Sequence, residues 1–139
     1  MENHFVVDNS VVMSWCFKDQ ANVYADSVLE KLADAVAYVP LVWPLEVVNV
    51  LLAAERKKYV SQADSAHFIS LLSELPIFVE NESPEKKMKE LLALARAHGL
   101  SSYDASYLDL AMKKGLPLAT LDEKLRKAAA NTSVPIFIA

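Results

Sequence analysis

Glycine is nearly absent: Gly99 and Gly115 are the only two in 139 residues. This leaves no flexible glycine linker, and neither a P-loop nor a G-x-G-x-x-G pattern occurs. Cys16 is the only cysteine, so an intramolecular disulfide and a multi-cysteine metal site are both excluded. His4, His67 and His98 stand in unrelated settings without the spacing of a zinc site. No run approaches the roughly 18 consecutive apolar residues of a membrane span. The opening "MENHFVVDN" lacks a charged region followed by a long apolar stretch, so no signal peptide is expected. Repeats, low-complexity tracts and a nucleophile-elbow signature are also missing. The expectation is a cytoplasmic protein without membrane association.

What is present is apolar and mildly acidic: 53% of residues are hydrophobic and the formal net charge is −4. A chain of this length is expected to form one domain, residues 1–139, with a sizeable core. Its charge disfavours coating nucleic acid by general electrostatics but allows a local site on it. The basic clusters "RKK", "KK" and "KLRK" fall at helix ends or exteriors and need no special function.

Short apolar strands alternate with amphipathic helices. "HFVVD", "AYVP", "IFVE", "PLATL" and "PIFIA" read as strands. Helices are expected in "SVVMSWCF", "NVYADSVLEKLADA", "WPLEVVNVLLAAERKK", "SQADSAHFISLLSEL", "SPEKKMKELLALARAHG", "SSYDASYLDLAMKKG" and "DEKLRKAAA". Pro44 suits a first turn, Ser61 and Asp64 have capping-box spacing, and Gly99 and Gly115 mark helix ends. This alternation predicts an α/β sandwich with a mostly parallel sheet. In such sheets ligands sit beyond the carboxyl ends of the strands.

Four acids fall at such places. Asp8 follows "FVV", Asp122 follows "PLATL", and Glu46 lies in the first turn of the helix after "AYVP". Asp104 lies near the start of its helix, in the same angular sector as the apolar stripe Tyr107, Leu108, Ala111 and Met112. Asp109 points to the polar side with Ser106 and Lys113, as an ordinary solvated acid. A charge directed at the core needs a partner or loses its charge.

Clustered carboxylates repel by about 1 kcal/mol per pair in water at 4 Å, and about 4 at an effective dielectric near 20. A hard divalent cation with oxygen ligands, Mg²⁺ or Mn²⁺, reverses that balance. A water on such an ion can attack a phosphodiester while the metal screens phosphate charge. Each acid also has a plainer role: Asp8 and Asp122 as helix caps, Glu46 and Asp104 as first-turn acids that complement the helix dipole. Their joint placement favours a metal site. Ser10 and Thr120 each lie two residues from a proposed ligand, where turn formation is an equally ordinary role. Asn49 shares a helix face with Glu46 and would orient it or a water. Arg56, about 15 Å along that helix, would pair with an acid or hold a distant phosphate.

The segments "FVVDNSVVMSWCF", "PLEVVNVLLAAERKK", "ARAHGLSSYDASYLDLA" and "PLATLDEKLRKAA" together resemble the PIN-domain family, and within it the VapC-type toxins of bacterial toxin–antitoxin pairs. Their order covers nearly the whole chain. The resemblance implies a compact three-layer α/β/α sandwich with a central mostly parallel sheet, and Mg²⁺- or Mn²⁺-dependent endoribonuclease activity. It assigns Asp8, Glu46 and Asp104 to the three principal acidic positions, and Asp122 to a more variable fourth. Ser10, Asn49 and Thr120 match accompanying polar positions. It further implies a homodimer, an RNA substrate, and a cognate antitoxin that docks near the site and carries any contact with operator DNA. Asn9 departs from a position that is frequently small, and Cys16 from one where other residues are common; neither removes a ligand.

Two other classes compete. In the first, Asp8 is the nucleophile of an aspartyl-phosphate phosphoryl transfer. "DNSVV" lacks the second Asp expected of a haloacid-dehalogenase phosphatase. The second is a non-catalytic interaction or regulatory module, against which the four intact acids argue.

Overall fold

The computed structural model describes residues 3–139. Four strands, β1 (His4–Val7), β2 (Val36–Val39), β3 (Ile77–Val79) and β4 (Leu118–Ala119), form one sheet in the order β3-β2-β1-β4. Every pairing is parallel, with His4 opposite Val36, Val6 opposite Leu118, and Ala37 opposite Ile77. The central strand β1 buries Phe5, Val6 and Val7 completely. An unbroken apolar run suits a parallel strand covered on both faces better than an alternating one does. On the edge strand β3, Phe78 and Val79 are exposed.

The α-helices are α1 (Asn9–Cys16), α2 (Val23–Lys31), α3 (Trp43–Arg56), α4 (Gln62–Ser73), α5 (Met88–His98), α6 (Ser102–Lys114) and α7 (Glu123–Asn131). The order β3-β2-β1-β4 reverses the crossover direction after β3. The right-handed rule for parallel crossovers then assigns α1–α4 to one face of the sheet and α5–α7 to the other. Helix packing groups them the same way, α1 with α2 and α3, and α6 with α5 and α7. This is the expected three-layer α/β/α sandwich. Among the described residues no helix is long and apolar enough to cross a membrane.

Local signals act as expected at several ends. Ser61 and Asp64 close a reciprocal capping box at α4. Gly99 and Gly115 take left-handed φ values of 63° and 64° after α5 and α6, a conformation that costs glycine nothing. Two expectations change. "PIFIA" contributes only a parallel bridge between Ile136 and Leu118, because β4 is two residues long and offers no further register. The helix expected from Ser83 begins as a 3₁₀ turn, Pro84–Lys87, and becomes α-helical only at Met88. Lys87 breaks the regular backbone there, with φ −118° and ψ 10°.

The chain leaves β1 toward β2, while β4 lies on the other side of β1. Neighbouring strands whose connections diverge leave a crevice at their carboxyl ends. Asp8 closes β1 at that crevice, and Thr120, Leu121 and Asp122 follow β4; Asp8 N–H donates to Ala119 O at 2.9 Å.

Candidate active site

Asp8 is the most enclosed of the four acids, 5% exposed. It occupies the N-cap position of α1 but its side chain makes no capping hydrogen bond. Instead Oδ2 accepts from Ser10 Oγ at 2.7 Å and from Thr120 Oγ1 at 2.8 Å. Burial pushes the Asp8 carboxyl above its ordinary range, and these hydroxyls and the amides of Asn9 and Ser10 offset part of the rise.

Thr120 is fully buried and links both strand ends. It also accepts from Asp122 N–H at 3.1 Å, and its carbonyl accepts from Arg126 Nε at 2.8 Å. Ser10 Oγ accepts from Leu121 N–H at 3.0 Å. The two hydroxyls therefore do more than shape turns: they tie β1 to the chain after β4 through the Asp8 carboxylate.

Glu46 enters from the first turn of α3, where Pro44 fits because a first-turn N–H has no helical acceptor. Its Oε1 accepts from the hydroxyl of Tyr107 on α6. Burial raises the Glu46 pKa, the Tyr107 bond opposes this, and the charges of Asp8 and Asp104 raise it further. Asp104 lies in the first turn of α6, whose N-cap Ser101 accepts from Asp104 N–H. Its pKa is pushed up to about 6, first by burial, then by the charges of Asp8 and Asp122 and by a hydrogen bond shared with Asp122. Asp122 caps α7 through Lys124 N–H, so its ordinary capping role is real and coexists with its place beside Asp104.

The acids are linked in a chain of charge: Asp8 and Asp104 act on the titration of Glu46, and Asp8 and Asp122 on that of Asp104. Among the described residues none of the four forms an ion pair with lysine, arginine or histidine. No three His, Cys, Asp or Glu side chains there stand close enough together to ligate an ion directly. The donor set nevertheless fits a hard cation that keeps part of its water shell and takes one or two carboxylates directly. Uncompensated carboxylates held in a half-buried crevice are costly without one.

Other expected residues fall differently. Asn49 is exposed on α3, and among the described residues no hydrogen bond joins it to Glu46. Arg56 is exposed at the end of α3 and pairs with no acid among those residues. Met112, expected on the apolar stripe, is 44% exposed. Asp109 is not the solvated acid its helical position suggested: it is 7% exposed, and Lys87 Nζ donates to its Oδ2 at 3.1 Å. α6 is covered on nearly all sides, because the turn before α5 brings Lys87 over the flank that would otherwise meet water. The sequence pattern gives Tyr107 only a place in an apolar stripe. Its position one turn beyond Asp104, on the same face, was the available hint that its hydroxyl serves an acid.

The model of the PIN domain family matches residues 5–131. A curated relative, Ribonuclease VapC3 of Pyrobaculum aerophilum, is 34% identical over 80 residues, 58% of this chain and 61% of that protein. The chain therefore spans about three fifths of that relative's length. The crystal structure of PAE2754 from Pyrobaculum aerophilum superimposes with a TM-score of 0.67 at 26% identity, covering 90% of this chain and 85% of that one. FitAcB from Neisseria gonorrhoeae gives 0.56 at 16% identity and covers 96% of each chain, a likeness of fold. With the family model matched from the first strand to the end of α7, this chain belongs to the PIN domain family.

Proposed function

We propose that the protein is a metal-dependent endoribonuclease, the toxin of a bacterial toxin–antitoxin pair acting in the cytoplasm. The observation that carries this reading is the group of four acids, Asp8, Glu46, Asp104 and Asp122, that meet at the β1/β4 crevice of a PIN-family chain without an ion pair among the described residues. The name of the VapC3 relative, a ribonuclease, supports the reaction class.

Asp8, Glu46 and Asp104 would hold Mg²⁺ or Mn²⁺, one or two of them directly and the rest through its water shell, with Asp122 assisting directly or through water. Such an ion supplies an activated water and charge screening for phosphodiester hydrolysis. Ser10 and Thr120 fix the Asp8 carboxylate, and Tyr107 fixes Glu46. Asn49, exposed one turn beyond Glu46, is available to a bound water. Fixed carboxylates position an ion more sharply than mobile ones, because the ordering entropy is met on folding.

The resemblance to VapC-type toxins supports a homodimer and a cognate antitoxin. Leu45, Val48 and Leu52 form an exposed i, i+3, i+7 stripe on α3, the spacing of a helix-pairing seam. An open groove of about 1060 Å³ beside α1, α3 and α4, with Trp15, Phe17, Tyr59 and Phe68 in its walls, suits an amphipathic segment of a partner. DNA would be met only through the antitoxin.

The deciding experiment is induced expression with RNA-end mapping, comparing wild type and Asp104→Asn. Growth arrest and new RNA ends are expected from wild type alone. Cleavage at the wild-type rate by a folded Asp104→Asn protein rejects the assignment.

A further inference from the structure

A cavity of about 230 Å³ is lined by residues that neighbour two of the site acids along the chain, though by none of the four themselves. It lies between the connection that leads into α3, the segment before α5, and α6, the helix that carries Asp104. On one side it is lined by Leu41 and Val42, the residues that lead into α3. Val42 is one helical turn before Glu46, whose N–H donates to Val42 O at 3.0 Å. On the other side it is lined by Tyr103, the residue next to Asp104. Tyr103 is 54% exposed although it stands at the mouth of a mainly apolar cavity. We propose that this cavity holds one nucleobase of the RNA substrate, stacked on Tyr103, beside the phosphate that is cut. The proposal deepens the ribonuclease reading and rests on it.

Size, shape and charge select this occupant. The volume is below the roughly 300–1,000 Å³ of sites that take drug-sized ligands, which restricts it to a single ring system. Single-stranded RNA is recognised largely by splaying bases onto aromatic faces, since every base has a π-face to offer. Glu80, Glu82 and Asp109 line the cavity against one ammonium, Lys87. Lys114 pairs with Glu80 at 3.1 Å and Lys113 lies 3.8 Å from Asp109. Each lysine near the lining is thus already matched to a carboxylate and offers a phosphate little, while the carboxylate oxygens can accept the N–H donors of a base edge. The phosphate is thereby left to the neighbouring crevice. Lys87 is already engaged by Glu82 at 2.7 Å and Asp109 at 3.1 Å, so the cavity floor is braced before a ligand enters.

The test is cleavage of a randomised single-stranded RNA library by wild type, Tyr103→Ala, Tyr103→Phe and Ser106→Phe. The last substitution places a ring in the cavity wall. Wild type should prefer certain bases at one position beside the cut. Tyr103→Ala and Ser106→Phe should lose that preference and lower kcat/KM by about ten-fold, mainly through KM. Tyr103→Phe should keep both, because stacking needs only the ring. Tyr103 is exposed, and thermal melts check that each variant folds. Cleavage with the preference unchanged in Tyr103→Ala and Ser106→Phe overturns the cavity assignment while leaving the ribonuclease reading intact. Absence of any cleavage by wild type with Mg²⁺ or Mn²⁺ overturns both. Unchanged cleavage, combined with lost inhibition by an antitoxin peptide, overturns the nucleobase and gives the cavity to a partner's side chain.

Discussion

The hydroxyl of Tyr107, in α6, donates to Glu46 Oε1, in α3, at 2.5 Å. The two residues are 61 apart in sequence and belong to helices on opposite faces of the sheet. Tyr107 is fully buried, and burial followed by the Glu46 charge holds its phenol far above the ordinary range, so it stays a donor at any working pH. Tyr107→Phe keeps the packing and removes only the donor. We expect a stability loss of about 1–2 kcal/mol and RNA cleavage reduced by about 10- to 100-fold. Denaturant melts and single-turnover cleavage separate the two effects. Full cleavage by the variant would show that Glu46 needs no such support.

Thr120→Val tests the hydroxyl that joins Asp8 to the chain after β4. Valine fills the same space, but Asp8 Oδ2 loses one donor and Asp122 N–H loses its acceptor. A buried group left unpaired costs about 1–3 kcal/mol. Metal affinity, read by calorimetric titration with Mn²⁺, should fall about 10-fold or more. Ser10→Ala should act in the same direction, because Ser10 donates to the same oxygen.

Asp104 makes stability depend on pH in a stated direction. Its folded pKa of about 6 lies above the ordinary 3.8, so the folded state holds a proton that the unfolded chain has released between those values. Its contribution is therefore favourable below about 3.8 and is lost as pH rises through about 6. Without a divalent ion, Asp104→Asn should melt at a higher temperature than wild type at pH 7.5, with the gap closing near pH 4. Mg²⁺ should raise the wild-type melting temperature more at pH 7.5 than at pH 5, and cleavage should decline as the pH drops below about 6. An Asp104→Asn protein less stable than wild type at pH 7.5 would show that this carboxylate is compensated within the protein, by Lys124 or another group, without a divalent ion.

Lys87 and Asp109 form a pair whose side chains are each 10% exposed. Burial alone would lower the lysine's pKa, but its bonds to Glu82 and Asp109 more than offset this and the net shift is upward. Lys87→Met leaves the buried Asp109 carboxylate with only the half-exposed Lys113, at 3.8 Å, and should cost about 2–3 kcal/mol, below the full penalty of an unpaired buried charge. The double variant Lys87→Met/Asp109→Leu should recover most of that loss, since it removes both desolvated charges. A double variant no more stable than the single one in urea melts would refute the pairing as the source of the cost.

Much of this arrangement was legible in residues one to four positions apart. "FVVD" and "PLATLD" announce strands that end in acids, "WPLE" a helix with an acid in its first turn, and Gly99 and Gly115 the ends of α5 and α6. These are local rules of hydrophobic period, capping and backbone freedom. They also separated the proposed site acids from most others, because strand ends and first turns face the crevice.

Asp109 shows where local rules stop. A helical wheel places it with Ser106 and Lys113, toward water. The structure buries it, because the 3₁₀ turn at Pro84–Lys87 carries a cation to it from 22 residues upstream. The wheel likewise gave Tyr107 to the core without disclosing that its hydroxyl reaches α3. The sequence by itself determined the elements, the four acids and their common edge, since each follows from neighbours along the chain. Only the tertiary structure decided which carboxylate is braced by a hydroxyl, which is paired with a lysine and which share one another's charge. Those outcomes depend on distances between segments far apart in the chain, and a period of 3.6 or 2 residues carries no information about them.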